Sequence, residues 1–226
     1  MNNKIYISVL LVFMILPVFD SGLFASLSKP PEDPDRSGFY LFYLHGLIIE
    51  NGGKRAHHLV HGYYEYEEIL KVLKNRGFVV ISEARKRGTK VFEYADKIAG
   101  QIRSLLKKKV RADHIIVVGA SKGGIIAANI SNILKNRDMN YVILAGLFKQ
   151  ILKDKGLQLF GNVLSVHDSS DRAPIVPGEF FKRSKGLGKH KQIVTNLQLG
   201  HGLLFKPYPQ WVNPLVEWSG INNKGD

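Results

Sequence analysis

The chain has 226 residues, of which 45% are hydrophobic and 23% charged, and it contains no cysteine. This composition is typical of a globular protein and excludes a largely disordered chain, and without thiols no disulfide can form. The formal net charge of +13 would attract polyanions. The lysines are scattered and are not interleaved with aromatic residues, so we expect no nucleic-acid partner. A solvated basic surface is expected, with weak association with an anionic membrane surface as an alternative.

Residues 1–25 are interpreted as a signal segment. Lys4 precedes an apolar run over residues 5–19, and Ala25 is a candidate cleavage position. A run of about fifteen residues is shorter than the roughly twenty that span a bilayer. We therefore expect an exported protein, periplasmic or secreted, with an uncleaved membrane anchor as the alternative.

The rest of the chain predicts one α/β domain. Residues 26–38 are rich in proline, serine and charge, which indicates a linker or N-terminal arm, and the domain extends over residues 39–226. Apolar runs predict strands at 39–44, 78–81, 114–118, 141–145, 163–166 and 192–197. Helical patterns fall between them at 63–75, 92–108 and 122–135. This alternation predicts a three-layer sandwich with a mostly parallel central sheet.

A serine stands between glycines where a predicted strand meets a predicted helix. The sequence "GASKGG" at 119–124 places Gly119, Ser121 and Gly123 in a Gly-x-Ser-x-Gly pattern. In this pattern the turn is so tight that side chains at the flanking positions would collide, and the serine hydroxyl is presented at a helix N-terminus as a nucleophile. The alternative is a glycine-rich turn whose serine has no chemical role.

A nucleophilic serine needs a histidine base and a carboxylate that orients the base. His201, in "QLGHGLLF" after the last predicted strand, is the predicted base, whereas His190 lies in a lysine-rich segment and is expected on the surface. Asp168 and Asp171, in "VHDSSDRAPIVP", both follow the preceding strand and are both candidates for the acid.

These motifs together resemble the α/β-hydrolase superfamily over residues 39–218. They are "YLHG" at 43–46, "GASKG" at 119–123, "VHDSSDRAPIVP" at 166–177 and "GHGLLF" at 200–205. The resemblance implies a carboxylesterase-like serine hydrolase that cleaves a small-molecule ester or related acyl bond through an acyl-enzyme, and it implies no cofactor.

The resemblance also assigns roles to individual residues. It implies a triad of Ser121, Asp171 and His201, with an oxyanion hole formed by the backbone N–H groups of Leu47 and Lys122. The register of the acid loop favours Asp171. Asp168 stands where relatives often carry glycine, and this departure keeps it as the alternative acid.

The surroundings of the site give further expectations. Only seventeen residues, 146–162, separate two predicted strands where a cap is most often inserted, so we expect no cap domain. The other loops are short apart from 47–62, which predicts a shallow, open site that favours short acyl groups. His57, His58 and His61 have ligand-like spacing but no acidic or cysteine partner nearby, so we expect a polar pocket rim or plain surface rather than a metal site. Two other classes stay open: a non-catalytic binding protein on the same fold, and a basic envelope protein at the membrane surface.

Overall fold

The computed structural model describes residues 26–173 and 175–223, so the predicted signal segment lies outside the described residues. A six-stranded sheet lies at the centre of the domain, in the order β4-β1-β5-β6-β7-β8, and all its neighbouring strands are parallel. The strands are β1 (Tyr40–Leu44), β4 (Val79–Ile81), β5 (Ile115–Ala120), β6 (Asn140–Leu144), β7 (Phe160–Asp168) and β8 (Gly186–Thr195). The predicted α/β class with a parallel sheet is confirmed.

Helices cover both faces of this sheet. They are α1 (Leu47–Gly52), α2 (Tyr66–Asn75), α3 (Val91–Lys107), α4 (Lys122–Leu134), α5 (Pro177–Arg183) and α6 (Pro209–Ser219). Along β1, Leu41 and Tyr43 pack with α2 and α6, while Phe42 and Leu44 pack with α3 and α4. Every residue of β1 is buried, as expected for a parallel strand with helices on both faces. A short antiparallel hairpin, β2 (His57–His58) and β3 (Gly62–Tyr63), lies outside the sheet.

The structure differs from the sequence prediction at several elements. Strand β8 begins at Gly186 rather than at residue 192, and most of its residues are exposed. Because β8 is an edge strand, its lysine-rich first half lacks the apolar run of a central strand, and His190 lies exposed upon it. Residues 146–162, for which no element was predicted, contain a short 3-10 turn at Lys149–Lys153. The prediction also lacked three helices, α1, α5 and α6, and the hairpin.

The N-terminal arm, residues 26–38, lies against the domain. Leu27 forms a parallel bridge with β4: its N–H donates to the carbonyl oxygen of Val80 at 3.2 Å, and its carbonyl oxygen accepts from the N–H of Ser82 at 2.7 Å. The arm therefore protects the outer edge of β4. Across the described ranges, the helices are too short or too polar for any of them to span a bilayer.

Candidate active site

Ser121 lies in a strained turn between β5 and α4. Its φ of 53° and ψ of −117° fall outside the conformations that side-chain-bearing residues ordinarily adopt. The N–H of Ser121 donates to the carbonyl oxygen of Leu144, 2.9 Å away, which fixes the turn against the end of β6. A Cβ at Gly119 would overlap the backbone of Gly123. The glycines of the motif are therefore required by the close approach of backbone.

Gly123 meets a second constraint, from the first strand. A Cβ at this position would overlap the carbonyl group of Leu44 at the end of β1. The start of α4 can therefore pack directly on β1 only because residue 123 is glycine. This contact brings the loop that follows β1 beside Ser121, since a Cβ at Gly46 would lie 3.5 Å from the Cβ of Ser121.

His201 and Asp171 form a hydrogen-bonded pair at the carboxyl edge of the sheet. The Nδ1 atom of His201 lies 2.7 Å from Oδ2 of Asp171, whose side chain is 3% exposed compared with 31% for the histidine. Burial alone would raise the pKa of Asp171, but hydrogen bonds from His201 and the N–H of Ala173 outweigh burial and lower it. An ionised Asp171 keeps the proton of His201 on Nδ1 and leaves Nε2 free to accept one.

Asp168, the alternative acid, has a different environment. It is buried, and its carboxylate makes no hydrogen bond with His201 among the described residues. Burial opposes its ionisation, but hydrogen bonds outweigh burial and hold the pKa of Asp168 well below its usual value. Its donors are the hydroxyl and N–H of Ser170, the hydroxyl of Thr195, and the N–H groups of Leu197 and Gly200. Asp168 therefore ties the end of β7 to the loop that carries His201.

Ser121 and His201 line one cavity of about 350 Å³. No hydrogen bond joins their side chains within the described chain, which is common in active sites without substrate. The cavity has no acidic, lysine or arginine side chain among its described lining residues, which are mainly apolar and aromatic. The other lining residues are Gly46, Leu47, Ile48, Asn51, His58, His61, Tyr64, Leu204 and Phe205.

The two predicted oxyanion-hole donors begin the two helices next to Ser121. Leu47 is the first residue of α1, and Lys122 is the first residue of α4. Neither backbone N–H donates a hydrogen bond to any described residue. Such groups at the first turn of a helix are free to bind other acceptors. Lys122 directly follows Ser121, and the loop before Leu47 lies beside the serine, because a Cβ at Gly46 would be 3.5 Å from the Cβ of Ser121.

Two of the three histidines of the segment 53–64, His58 and His61, line the cavity, whereas His57 is exposed outside it. The rings of His58 and His61 stack with their centroids 4.7 Å apart, and His57 packs against Tyr63 in the hairpin. Burial, together with the neighbouring His58 and His201, lowers the pKa of His61. In the part of the chain that the structure describes, no group of three or more potential metal-binding side chains occurs.

Sequence reasoning missed two charged residues beside the site. The carboxylate of Glu50 accepts hydrogen bonds from Nε of Arg85 at 2.8 Å and from Nζ of Lys122 at 2.6 Å. Only the backbone of Lys122 was predicted to act, and Arg85 was not considered. The one signal in the sequence is that Glu50 is the single charged residue in the run "LIIE". A solvent-facing glutamate would explain this pattern equally well.

Comparisons with known proteins identify the fold. No protein-family profile and no curated protein sequence matches the chain. A solved arylesterase structure is similar with a TM-score of 0.55 and 14% identity, over 89% of this chain and 88% of that chain. An esterase from Pyrococcus furiosus is similar with a TM-score of 0.51 and 14% identity, over 82% of this chain and 84% of that chain. The chain has the α/β-hydrolase fold, which confirms the resemblance, and its described residues include no cap domain.

Proposed function

We propose that this protein is a serine hydrolase that cleaves a small-molecule ester or a related acyl bond. The observation that carries the proposal is the pairing of buried Asp171 with His201 on the same cavity as the strained Ser121. Strain of this kind clusters at functional sites, and a paired carboxylate is what a histidine base needs. The similar solved structures, an arylesterase and an esterase, support the same reaction class.

In the proposed reaction, Oγ of Ser121 attacks the carbonyl carbon while its proton passes to Nε2 of His201. The negative charge on the carbonyl oxygen is stabilised by the N–H groups of Leu47 and Lys122. The protonated His201 then gives its proton to the leaving alcohol, and an acyl-enzyme remains. His201 next takes a proton from water, whose oxygen attacks the acyl carbon, and returns that proton to Oγ of Ser121 as the acid leaves. No cofactor takes part in this scheme.

The cavity favours an uncharged and compact acyl group. Its volume of about 350 Å³ is near the lower end of the range of ligand sites, and no charged side chain among its described lining would pair with an ionic substrate. The enclosure comes from the segment 47–64 rather than from a cap, because this segment contributes Leu47, Ile48 and Tyr64 to the wall. Activity on p-nitrophenyl esters is expected to peak at short acyl chains.

The proposal is tested with a fluorophosphonate probe, which labels nucleophilic serines. The wild-type protein should be labelled, Ser121→Ala should not be, and Ser169→Ala, which alters a serine in the acid loop, should be labelled like the wild type. If the wild-type protein stays unlabelled, or if Ser121→Ala is labelled equally well, the hydrolase proposal fails. A folded but unlabelled protein would instead favour the non-catalytic binding protein.

Export is proposed from the N-terminal sequence alone. Mass spectrometry of the native protein should find a chain that begins near Ser26 outside the cytoplasm. An intact Met1 in the membrane fraction would favour the anchor, and an intact Met1 in the soluble cytoplasmic fraction would contradict export.

Weak association with an anionic membrane surface is proposed from the charge and from one exposed segment. The turn of the hairpin exposes Leu59 and Val60, at 95% and 79%, close in sequence to Lys54 and Arg55. Such a combination suits a lipid surface that carries negative charge. Residues 26–226 should co-sediment with anionic vesicles at low salt and dissociate at high salt. Without vesicles, equal recovery of the protein in the supernatant at both salt concentrations would exclude aggregation. Failure to co-sediment at low salt would contradict the proposal.

A further inference from the structure

Three charged side chains gather behind the two loops that carry the proposed oxyanion-hole donors. Glu50 lies in α1, Arg85 in the loop between β4 and α3, and Lys122 at the start of α4. Glu50 bridges the other two through its two carboxylate oxygens. The side chains of Glu50 and Arg85 are 0% exposed and that of Lys122 is 18% exposed, so this is a buried ionic cluster.

Arg85 fixes the loop after β1, which leads to Leu47. Its Nη2 donates to the carbonyl oxygen of His45, and its backbone N–H donates to Nε2 of the same histidine at 2.8 Å. Because Nε2 accepts this hydrogen bond, Nδ1 carries the ring proton of a neutral His45 and donates to the carbonyl oxygen of Gly46 at 2.8 Å. The peptide groups on both sides of Gly46 are thereby held in one orientation.

Lys122 fixes the other side of the site. Besides its bond to Glu50, its Nζ donates to the carbonyl oxygen of Thr89 at 2.7 Å. The side chain therefore connects the start of α4 to α1 and to the loop that contains Arg85. Through Glu50, the two backbone donors of the proposed oxyanion hole are linked by a chain of charge-assisted hydrogen bonds.

The cluster has one acidic and two basic members, so it carries one surplus positive charge. Removing charges from water is costly, and an apolar cluster of similar volume often stabilises a fold equally well. Stability alone is therefore a poor explanation for the three ions. Fixed donors and positive charge next to a developing negative charge are, in contrast, a large source of rate enhancement in acyl transfer.

We propose that Glu50, Arg85 and Lys122 are positioning residues for the oxyanion hole, an inference that rests on the proposed hydrolase function. The cluster holds the peptide groups of Leu47 and Lys122 in the orientation that the oxyanion requires. Its surplus positive charge stabilises the oxyanion further. The effect is specific to the transition state, because the neutral substrate carbonyl carries little negative charge.

The test compares Lys122→Met with the charge-conserving Lys122→Arg and with Lys90→Met. Lys90 forms an exposed pair with Glu93 and serves as the matched control. Hydrolysis of p-nitrophenyl acetate is measured per active site, with the number of sites titrated by a fluorophosphonate. The affinity for trifluoroacetophenone is measured in parallel, because such ketones form a tetrahedral oxyanion adduct with a nucleophilic serine.

In Lys122→Met, kcat per labelled site should fall about 10- to 100-fold with KM nearly unchanged, somewhat less than the loss of a direct oxyanion donor. The affinity for trifluoroacetophenone should fall by a similar factor. Lys122→Arg should recover most of both losses, and Lys90→Met should match the wild type.

Other outcomes overturn the proposal. If Lys122→Met has fewer labelled sites but a wild-type kcat per site, the cluster only supports the fold. If kcat and inhibitor affinity are both unchanged, the cluster has no positioning role. Should Lys122→Met fail to fold, Lys122→Gln, which can still donate to Glu50 without the charge, carries the same comparison. A wild-type protein that the probe does not label would instead refute the proposed function, and this inference with it.

Discussion

The two sides of the candidate site use charged residues in opposite ways. On one side, Asp171 meets a histidine that is 31% exposed and lines the cavity, so a proton can move at the proposed substrate site. On the other side, Glu50 is fully buried between Arg85 and Lys122, which also donate to backbone carbonyl oxygens. We infer that the first side uses charge for proton transfer and the second uses it for geometry. Substitutions on the first side should therefore affect rate, and those on the second should affect rate and stability together.

The largest expected effect tests the proton-transfer side. Asp171→Asn should lower kcat on the order of 10⁴-fold with little loss of stability, because the amide can no longer hold His201 in the reactive tautomer. Steady-state kinetics together with thermal melts would measure both quantities. A variant that keeps more than about a tenth of the wild-type kcat would contradict the role of Asp171.

The buried cluster should give the next largest effect. Glu50→Gln leaves two cations without a carboxylate and should lower the free energy of unfolding by about 3–5 kcal/mol. The matched variant Glu93→Gln changes an exposed pair and should leave the melting temperature unchanged. Urea denaturation of both variants checks the difference. Equal stability of the two variants would show that the cluster is not strongly coupled to folding.

Asp168→Asn sharpens the comparison within a single loop. Its carboxylate accepts hydrogen bonds from Ser170, Thr195 and Leu197. Asp168→Asn loses charge-assisted hydrogen bonds and should therefore lower the free energy of unfolding by about 2–4 kcal/mol. The fall in kcat per folded site should be far smaller than for Asp171→Asn. If Asp168→Asn is the variant that abolishes turnover while Asp171→Asn is mild, the assignment of the acid is reversed.

The effect that should be smallest near neutral pH is a pH dependence of stability from His45. Burial is the main cause that lowers its pKa from 6.5 to about 3, with Arg85 contributing. Between these two values the unfolded chain binds a proton that the folded chain does not, so stability falls as the pH falls. The slope should be up to about 1.4 kcal/mol per pH unit below pH 6.5.

The pH series needs two variants. His45→Gln should flatten the dependence of the unfolding free energy between about pH 6 and pH 4.5. His190→Gln, at an exposed position on β8, should leave the wild-type dependence in place. Part of the slope should persist in His45→Gln, because burial also lowers the pKa of His61 and His167. A full slope in His45→Gln would exclude His45 as its main source.

The sequence by itself determined the features that depend on short-range patterns. Apolar runs such as 115–118 and helical repeats such as 92–108 identified the α/β class, since strand and helix periodicity are local properties. The pattern around Ser121 also identified a tight strand-to-helix turn. The glycines that this turn requires lie within four residues of each other, so the signal is local. Only the second part of the edge strand β8 was predicted. An edge position permits charged residues, and these interrupt the apolar pattern by which a strand is recognised.

Only the tertiary structure decided which distant side chains meet. Asp168 and Asp171 lie three positions apart and were separated as candidates by family register and by the closeness of Asp168 to its strand, whereas the fold directs one to a network of loop donors and the other to His201. Glu50 and Arg85 are 35 residues apart and carried no shared signal in the sequence. The physical reason is that a charged residue is buried only with a partner, and that partner can be distant in the sequence. From the sequence alone such a residue is therefore expected at the surface.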